Sequence, residues 1–181
     1  MRHQGRESAF KIIYQVDVGK NDIETALQVT MENDGLNKKE QAFCRDLVLA
    51  VEAHLEELDT IIQRNTIGWN VDRMMSIDRN LLRLAVYEMI YCGHIMPEGA
   101  INEAVEMAKI YGKAESPRFI NSILDKVLKK EERKSHHMPE CAEELMQQPE
   151  EPWEKPMVVR KEISEQEAET LLEAQELNTV E

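Results

Sequence analysis

Residues 77–91 read Ile77-Asp78-Arg79-Asn80-Leu81-Leu82-Arg83-Leu84-Ala85-Val86-Tyr87-Glu88-Met89-Ile90-Tyr91, and this stretch decides the fold. Charge is confined to Asp78, Arg79, Arg83 and Glu88, while apolar residues fill most other positions. A helix that is apolar nearly all round has no broad face to give to water, so the stretch predicts the central buried helix of a bundle. Working outward, apolar residues recur at helical spacing on both sides. Upstream, Ala9, Ile12, Ile13 and Val16 predict a first helix that breaks at 19–22, and a short second helix follows around 23–31. From Lys38 to Asn65, Phe43, Leu47, Val51, His54, Leu58, Ile61 and Ile62 share one face over about seven turns, which predicts a single long third helix. Downstream, Pro97 ends the central unit, and Ile101, Ala104, Val105 and Ala108 predict a helix with Asn102 at its start and Glu103 as its first-turn carboxylate. That helix stops at Gly112, where a positive φ is expected. Ser116 and Pro117 cap the last core helix, whose stripe is Phe119, Ile120, Ile123, Leu124, Val127 and Leu128.

The chain has 181 residues, of which 5% are aromatic, with 7 Gly and 6 Pro. That is thin for a β-sandwich or a Gly-looped nucleotide fold, and it fits an all-α, compact bundle of six or seven helices. No apolar run approaches the roughly 20 residues of a membrane span, and the N-terminus lacks the apolar core of a signal peptide. Three cysteines, Cys44, Cys92 and Cys141, are far apart, which argues against a disulfide framework. A soluble, cytoplasmic protein is expected.

A formal net charge of -13 argues at first against nucleic acid, because Lys and Arg carry phosphate affinity. Its distribution changes that. Residues 1–134 hold 19 basic and 22 acidic side chains, a net of -3, whereas residues 135–181 hold 3 and 13, a net of -10. The second segment also carries Pro139, Pro149, Pro152 and Pro156 among Glu-rich stretches, so it reads as a mostly disordered acidic tail. Within it, Ser164 to Glu167 has the form of a capping box, and a short helix over 165–176 is expected there. The tail is either a solubilising segment or an intramolecular anion that competes with RNA near Lys126, Lys129, Lys130, Arg133 and Lys134.

Catalysis finds no foothold. There is no Gly-rich phosphate loop, no nucleophile elbow and no His-Glu-x-x-His helix. His136, His137 and Cys141 are the nearest approach to a metal site and lack a second ligand pair, so no metal, cofactor or enzymatic activity is expected. An interaction protein remains. Arg6 and Lys11 flank the start of the first helix, and Lys109, Lys113 and Arg118 surround the turn before the last helix, with Tyr111 and Phe119 interleaved. Cations for phosphate and rings for bases are what single-stranded RNA recognition uses.

Four ordered motifs then carry a resemblance. They are Arg6-Glu7-Ser8-Ala9 with Ile13-Tyr14-Gln15, then Phe43 with Arg45-Asp46-Leu47, then Asp78 to Glu88. The fourth runs from Pro97 through Ala100-Ile101-Asn102-Glu103-Ala104 to Lys109, then Tyr111-Gly112, Ser116 and Phe119-Ile120-Asn121-Ser122-Ile123-Leu124-Asp125. Together they resemble the NusB family of bacterial transcription antitermination factors over residues 5 to about 130. The resemblance implies two small helical subdomains around a long third helix. It also implies binding of boxA RNA in nascent ribosomal RNA leaders jointly with NusE, a small ribosomal protein, within a complex of NusA, NusG and RNA polymerase. Carried over by position, Arg6, Tyr14, Arg118 and Phe119 are expected RNA residues, Arg83 and Glu88 are expected to face NusE, and Glu115 is expected near both partners as a NusE contact; Lys11 and Lys113 join the expected RNA set from the basic cluster. Each keeps an alternative at this stage. Tyr14 and Phe119 also suit the core, and Arg83 and Glu88 also suit intramolecular ion pairs.

The opening of the chain departs from strongly RNA-binding members, which begin with a run of arginines, whereas here only Arg2, His3 and Arg6 are present. Modest affinity alone, rising with NusE, is therefore expected. Two other readings remain: a homodimer or protein-interaction module with little RNA binding, and the RNA-binding domain of a ribosomal RNA cytosine methyltransferase. The methyltransferase would need about 200 further residues with Gly-rich cofactor motifs.

Overall fold

The structure is a computed structural model and describes residues 2–66, 68–132 and 134. The acidic segment 135–181 lies outside the described residues, and with it the expected disorder, the helix 165–176 and the His136, His137 and Cys141 group. Seven α-helices are present among the described residues: α1 (Arg2–Gly19), α2 (Ile23–Asn33), α3 (Lys38–Ala53), α4 (Leu55–Asn65), α5 (Ser76–Tyr91), α6 (Pro97–Tyr111) and α7 (Ser116–Lys130). A single 3₁₀ turn, Val71–Arg73, precedes α5.

Local chemistry sets several boundaries. The Asp22 carboxylate accepts the Thr25 N–H at 3.0 Å and starts α2. Asn37 starts α3 with a reciprocal box, its Oδ1 accepting from Lys39 and Glu40 N–H while Glu40 accepts the Asn37 N–H at 3.1 Å. Such boxes satisfy backbone donors that the helix itself leaves unpaired.

The residues expected to form one long third helix form two. The break falls at His54, with φ -108 and ψ 13, whose backbone N–H is shared between the Ala50 and Val51 carbonyls. Its imidazole Nδ1 lies 2.8 Å from the Ala50 carbonyl, and its ring packs 4.8 Å from Tyr91 and 5.5 Å from Tyr87. The apolar periodicity runs on through the break because α3 and α4 both face the same core.

Two groups of helices result. α1, α2 and α3 pack together, as do α4, α5, α6 and α7, and α5 joins the groups by touching α1 and α3 as well. Every residue from Asn80 to Cys92 is buried. Leu81, Leu82 and Leu84 on α5 meet Ile12, Leu47, Leu58, Ile62, Met107, Ile120 and Leu124 in the shared core. Each such side chain contributes about 1.5–3 kcal/mol of burial. None of the described helices is long and apolar enough to cross a membrane.

Candidate nucleic-acid interface

The first turns of α1 approach α3 and α5 closely. A Cβ at Gly5 would stand 2.9 Å from Phe43 Cδ1 and 3.2 Å from the Glu40 carbonyl, so the absence of a side chain sets the spacing. One residue on, Arg6 is 3% exposed, and its guanidinium forks onto Glu88, itself 1% exposed, at 2.7 and 2.9 Å. It also approaches Glu103 at 3.3 Å and lies over the Phe43 ring at 5.8 Å. Burial alone would raise the Glu88 carboxyl, but hydrogen bonds from His94 and Arg6 reverse this and hold it below its ordinary range. Burial likewise works against the Arg6 charge, and Glu88 outweighs it and raises the guanidinium. Arg6 therefore serves the interior and is not available to phosphate.

Arg83 is spent in the same way. It is 6% exposed, grips Asp59 at 2.7 and 2.6 Å and donates to the Asn80 side-chain oxygen at 3.0 Å. Asp17 ties the network together, accepting from Arg79 at 2.5 Å and Asn80 at 2.9 Å. Its carboxyl is lowered despite burial by those bonds. Of the residues expected to face a protein partner, Arg83 and Glu88 thus take up the intramolecular pairs that the sequence left open, and Glu115 alone is exposed. Glu103 and Asn102 are not at a helix start, because α6 begins at Pro97. Glu103 is a mid-helix carboxylate that holds Arg6 and His3, the latter at 2.7 Å.

The remaining candidates gather near the turn between α6 and α7. Tyr111 at the end of α6 donates to Glu7 of α1 and packs 5.3 Å from Phe10, which in turn lies 6.4 Å from Tyr14. Lys11 sits beside them, held by Asp34 at 3.1 Å and Glu7 at 3.4 Å. Its ammonium is raised: partial burial opposes the charge, and Asp34 overcomes it. Tyr14 is half-buried.

Gly112 closes α6 with φ -88 and ψ -177, so the positive φ expected there does not occur. Space is the reason for glycine: a Cβ would stand 2.6 Å from Ser116 Cβ and 2.7 Å from the Ala108 carbonyl. Ser116, expected as a cap, is the first residue of α7, and its hydroxyl accepts the Lys113 N–H at 3.0 Å. The tight turn leaves Lys113, Glu115 and Arg118 exposed, while Phe119 is half-buried. Phe119 packs against Trp69, ring centroids 5.8 Å apart at 66°. Trp69 was not anticipated, and the only signal for it was a tryptophan set between Gly68 and Asn70 in a loop without apolar periodicity.

Comparison with known proteins agrees with this arrangement. The NusB family model matches residues 3–129. The chain belongs to the NusB family. Transcription antitermination protein NusB of Desulforamulus reducens is 42% identical over 127 residues, covering 70% of this chain and 89% of that protein. The solved T. maritima NusB superposes with a TM-score of 0.68 at 32% identity, covering 80% of this chain and 97% of that one. NusB in the crystal structure of the antitermination factors NusB and NusE in complex with dsRNA gives a TM-score of 0.66 at 27% identity, over 71% of this chain and 96% of that one. Every candidate residue lies inside the span matched by the NusB family, and residues 135–181 lie beyond it.

Proposed function

We propose that this chain is a non-catalytic transcription antitermination factor of the cytoplasm. It binds boxA-type RNA of nascent ribosomal RNA leaders together with NusE and so helps to assemble the complex of NusA, NusG and RNA polymerase. The observation that carries the reading is the exposed α6–α7 turn, which leaves Lys113 and Arg118 at the surface with the half-buried ring of Phe119. The NusB–NusE–dsRNA complex supports it as a structural relative. Cations attract phosphate, and half-exposed rings offer faces to bases.

The ion pairs refine the expected RNA set. Arg6 is removed from direct contact and acts by fixing α1 against α5, which leaves Lys11, Tyr14, Lys113, Arg118 and Phe119 as the binding residues. NusE contact is carried by Glu115, whereas Arg83 and Glu88 shape the surface from beneath it. So few cations support modest affinity alone. Each phosphate contact to a single strand adds about 0.7 to the slope of log affinity against log salt, so binding is expected to be salt-sensitive and to lose slope with each contacting cation removed.

Titration of labelled boxA RNA with and without NusE tests the reading. Weak, salt-sensitive binding that tightens at least tenfold with NusE is expected. Absence of RNA binding in both arms overturns it in favour of a protein-interaction module or homodimer, which sizing the protein with and without the RNA identifies.

A further inference from the structure

Trp69 stands in the connection between α4 and α5 and is 57% exposed, an unusual place for so large an apolar side chain. Its backbone is nevertheless fixed. The Trp69 carbonyl accepts from Gln63 Nε2 at 2.9 Å and Thr66 Oγ1 at 3.2 Å, and the Gln63 Oε1 accepts the Val71 N–H at 3.0 Å. Gly68, at φ +77, makes the bend that delivers the indole to Phe119. In an edge-to-face pair at most one face of one ring is covered, so the indole keeps an open face in a set position. Holding it there in advance lowers the entropy lost on binding.

Arg118, the neighbour of Phe119 in sequence, opens a groove of about 600 Å³ between α6 and α7. Lys126 and Lys129 line the same groove with Asn121, Ser122 and Asp125, which is three cations against one carboxylate. Among the described residues, none of those three cations is in an ion pair, unlike Arg6, Arg79 and Arg83. A ring with an open face, packed on the residue that follows Arg118, together with a row of uncommitted cations is the composition of a single-strand binding track.

We propose that Trp69 is a base-stacking residue of the RNA face. An unpaired base of a single strand lies on the indole, and the adjoining phosphates run along Arg118, Lys126 and Lys129. This rests on the function proposed above and adds to it the α4–α5 connection and the outer side of α7.

The test uses the full chain with NusE and the same boxA RNA. W153F leaves Trp69 as the single tryptophan, and the W69F/W153F chain supplies the blank. Stacking is expected to quench the Trp69 emission on RNA addition. W69A is expected to weaken RNA affinity by about 5- to 150-fold, the range of one lost base stack. Its salt slope stays at the parental value, whereas Arg118→Ala flattens the slope, and W69Y restores most of the affinity. Parental affinity in W69A with no quenching in W153F overturns the inference while leaving the RNA function standing. Emission that responds to NusE alone overturns it too, because the ring is then a protein contact. If W69A loses affinity and W69Y does not restore it, the ring only supports Phe119 and the inference fails. Absence of RNA binding by the parent chain removes both readings.

Discussion

Glu88 is a charged group with 1% of its surface exposed, and its carboxylate is tolerated because Arg6 meets it through two hydrogen bonds and His94 approaches at 3.3 Å. Breaking one side of a buried pair leaves the other charge without compensation, which costs about 3–5 kcal/mol. Glu88→Gln is therefore expected to lower the unfolding free energy by that amount at pH 7, measured by urea denaturation. A variant as stable as the parent would show that Glu103 alone compensates Arg6. The pH dependence has a definite sign. A carboxyl held below its ordinary value of 4.5 in the folded state contributes stability above that pH, and this stability is lost as pH falls through the lower folded value. The parent is expected to lose stability below about pH 4.5, and Glu88→Gln to show a shallower loss there. At this scale the sequence supplied residue identities without their assignments. Arg6 and Glu88 are 82 positions apart, so no local pattern pairs them. Trp69 was invisible for a related reason, since its packing partner is a ring on α7, 50 positions away in sequence.

Elements were more legible. The apolar stripe of residues 77–91 predicted the buried helix, and α5 occupies Ser76–Tyr91 at the centre of the packing. Where the reading failed, geometry too local or too crowded for periodicity intervened. The stripe from Lys38 to Asn65 spans two helices because His54 interrupts the backbone while the same face stays buried. Gly112 was expected for its φ and is required for its size. Gly112→Ala must push Ser116 or the end of α6 aside, so a loss of about 1–3 kcal/mol is expected. Because that turn positions both Lys113 and Arg118, RNA affinity should fall as well. Gly93→Ala, whose Cβ meets nothing within 4 Å, is the control and should change neither property. Equal effects of the two substitutions on urea denaturation would refute the crowding argument.

Across the whole molecule, charge is divided between a near-neutral segment, net -3 over residues 1–134, and an acidic one, net -10 over residues 135–181. If the anionic segment competes with RNA, salt will screen the competition, since the Debye length is about 10 Å at 0.1 M. Deleting residues 135–181 is expected to raise RNA affinity several-fold at low salt, with the gain shrinking as salt is added. Unchanged low-salt affinity in the same titration would make the segment a solubilising one. The sequence by itself determined the helical class, the identity of the buried helix, the division of charge and the family likeness, because each is written in local composition or in apolar spacing. Tertiary structure alone decided which cations remain for a ligand. Arg6 went to the buried carboxylate of Glu88 and Arg83 to the partly exposed one of Asp59, both on other helices, while Arg118 stayed at the surface next to Phe119, because a charge is committed by the groups that folding brings around it and not by its neighbours in sequence.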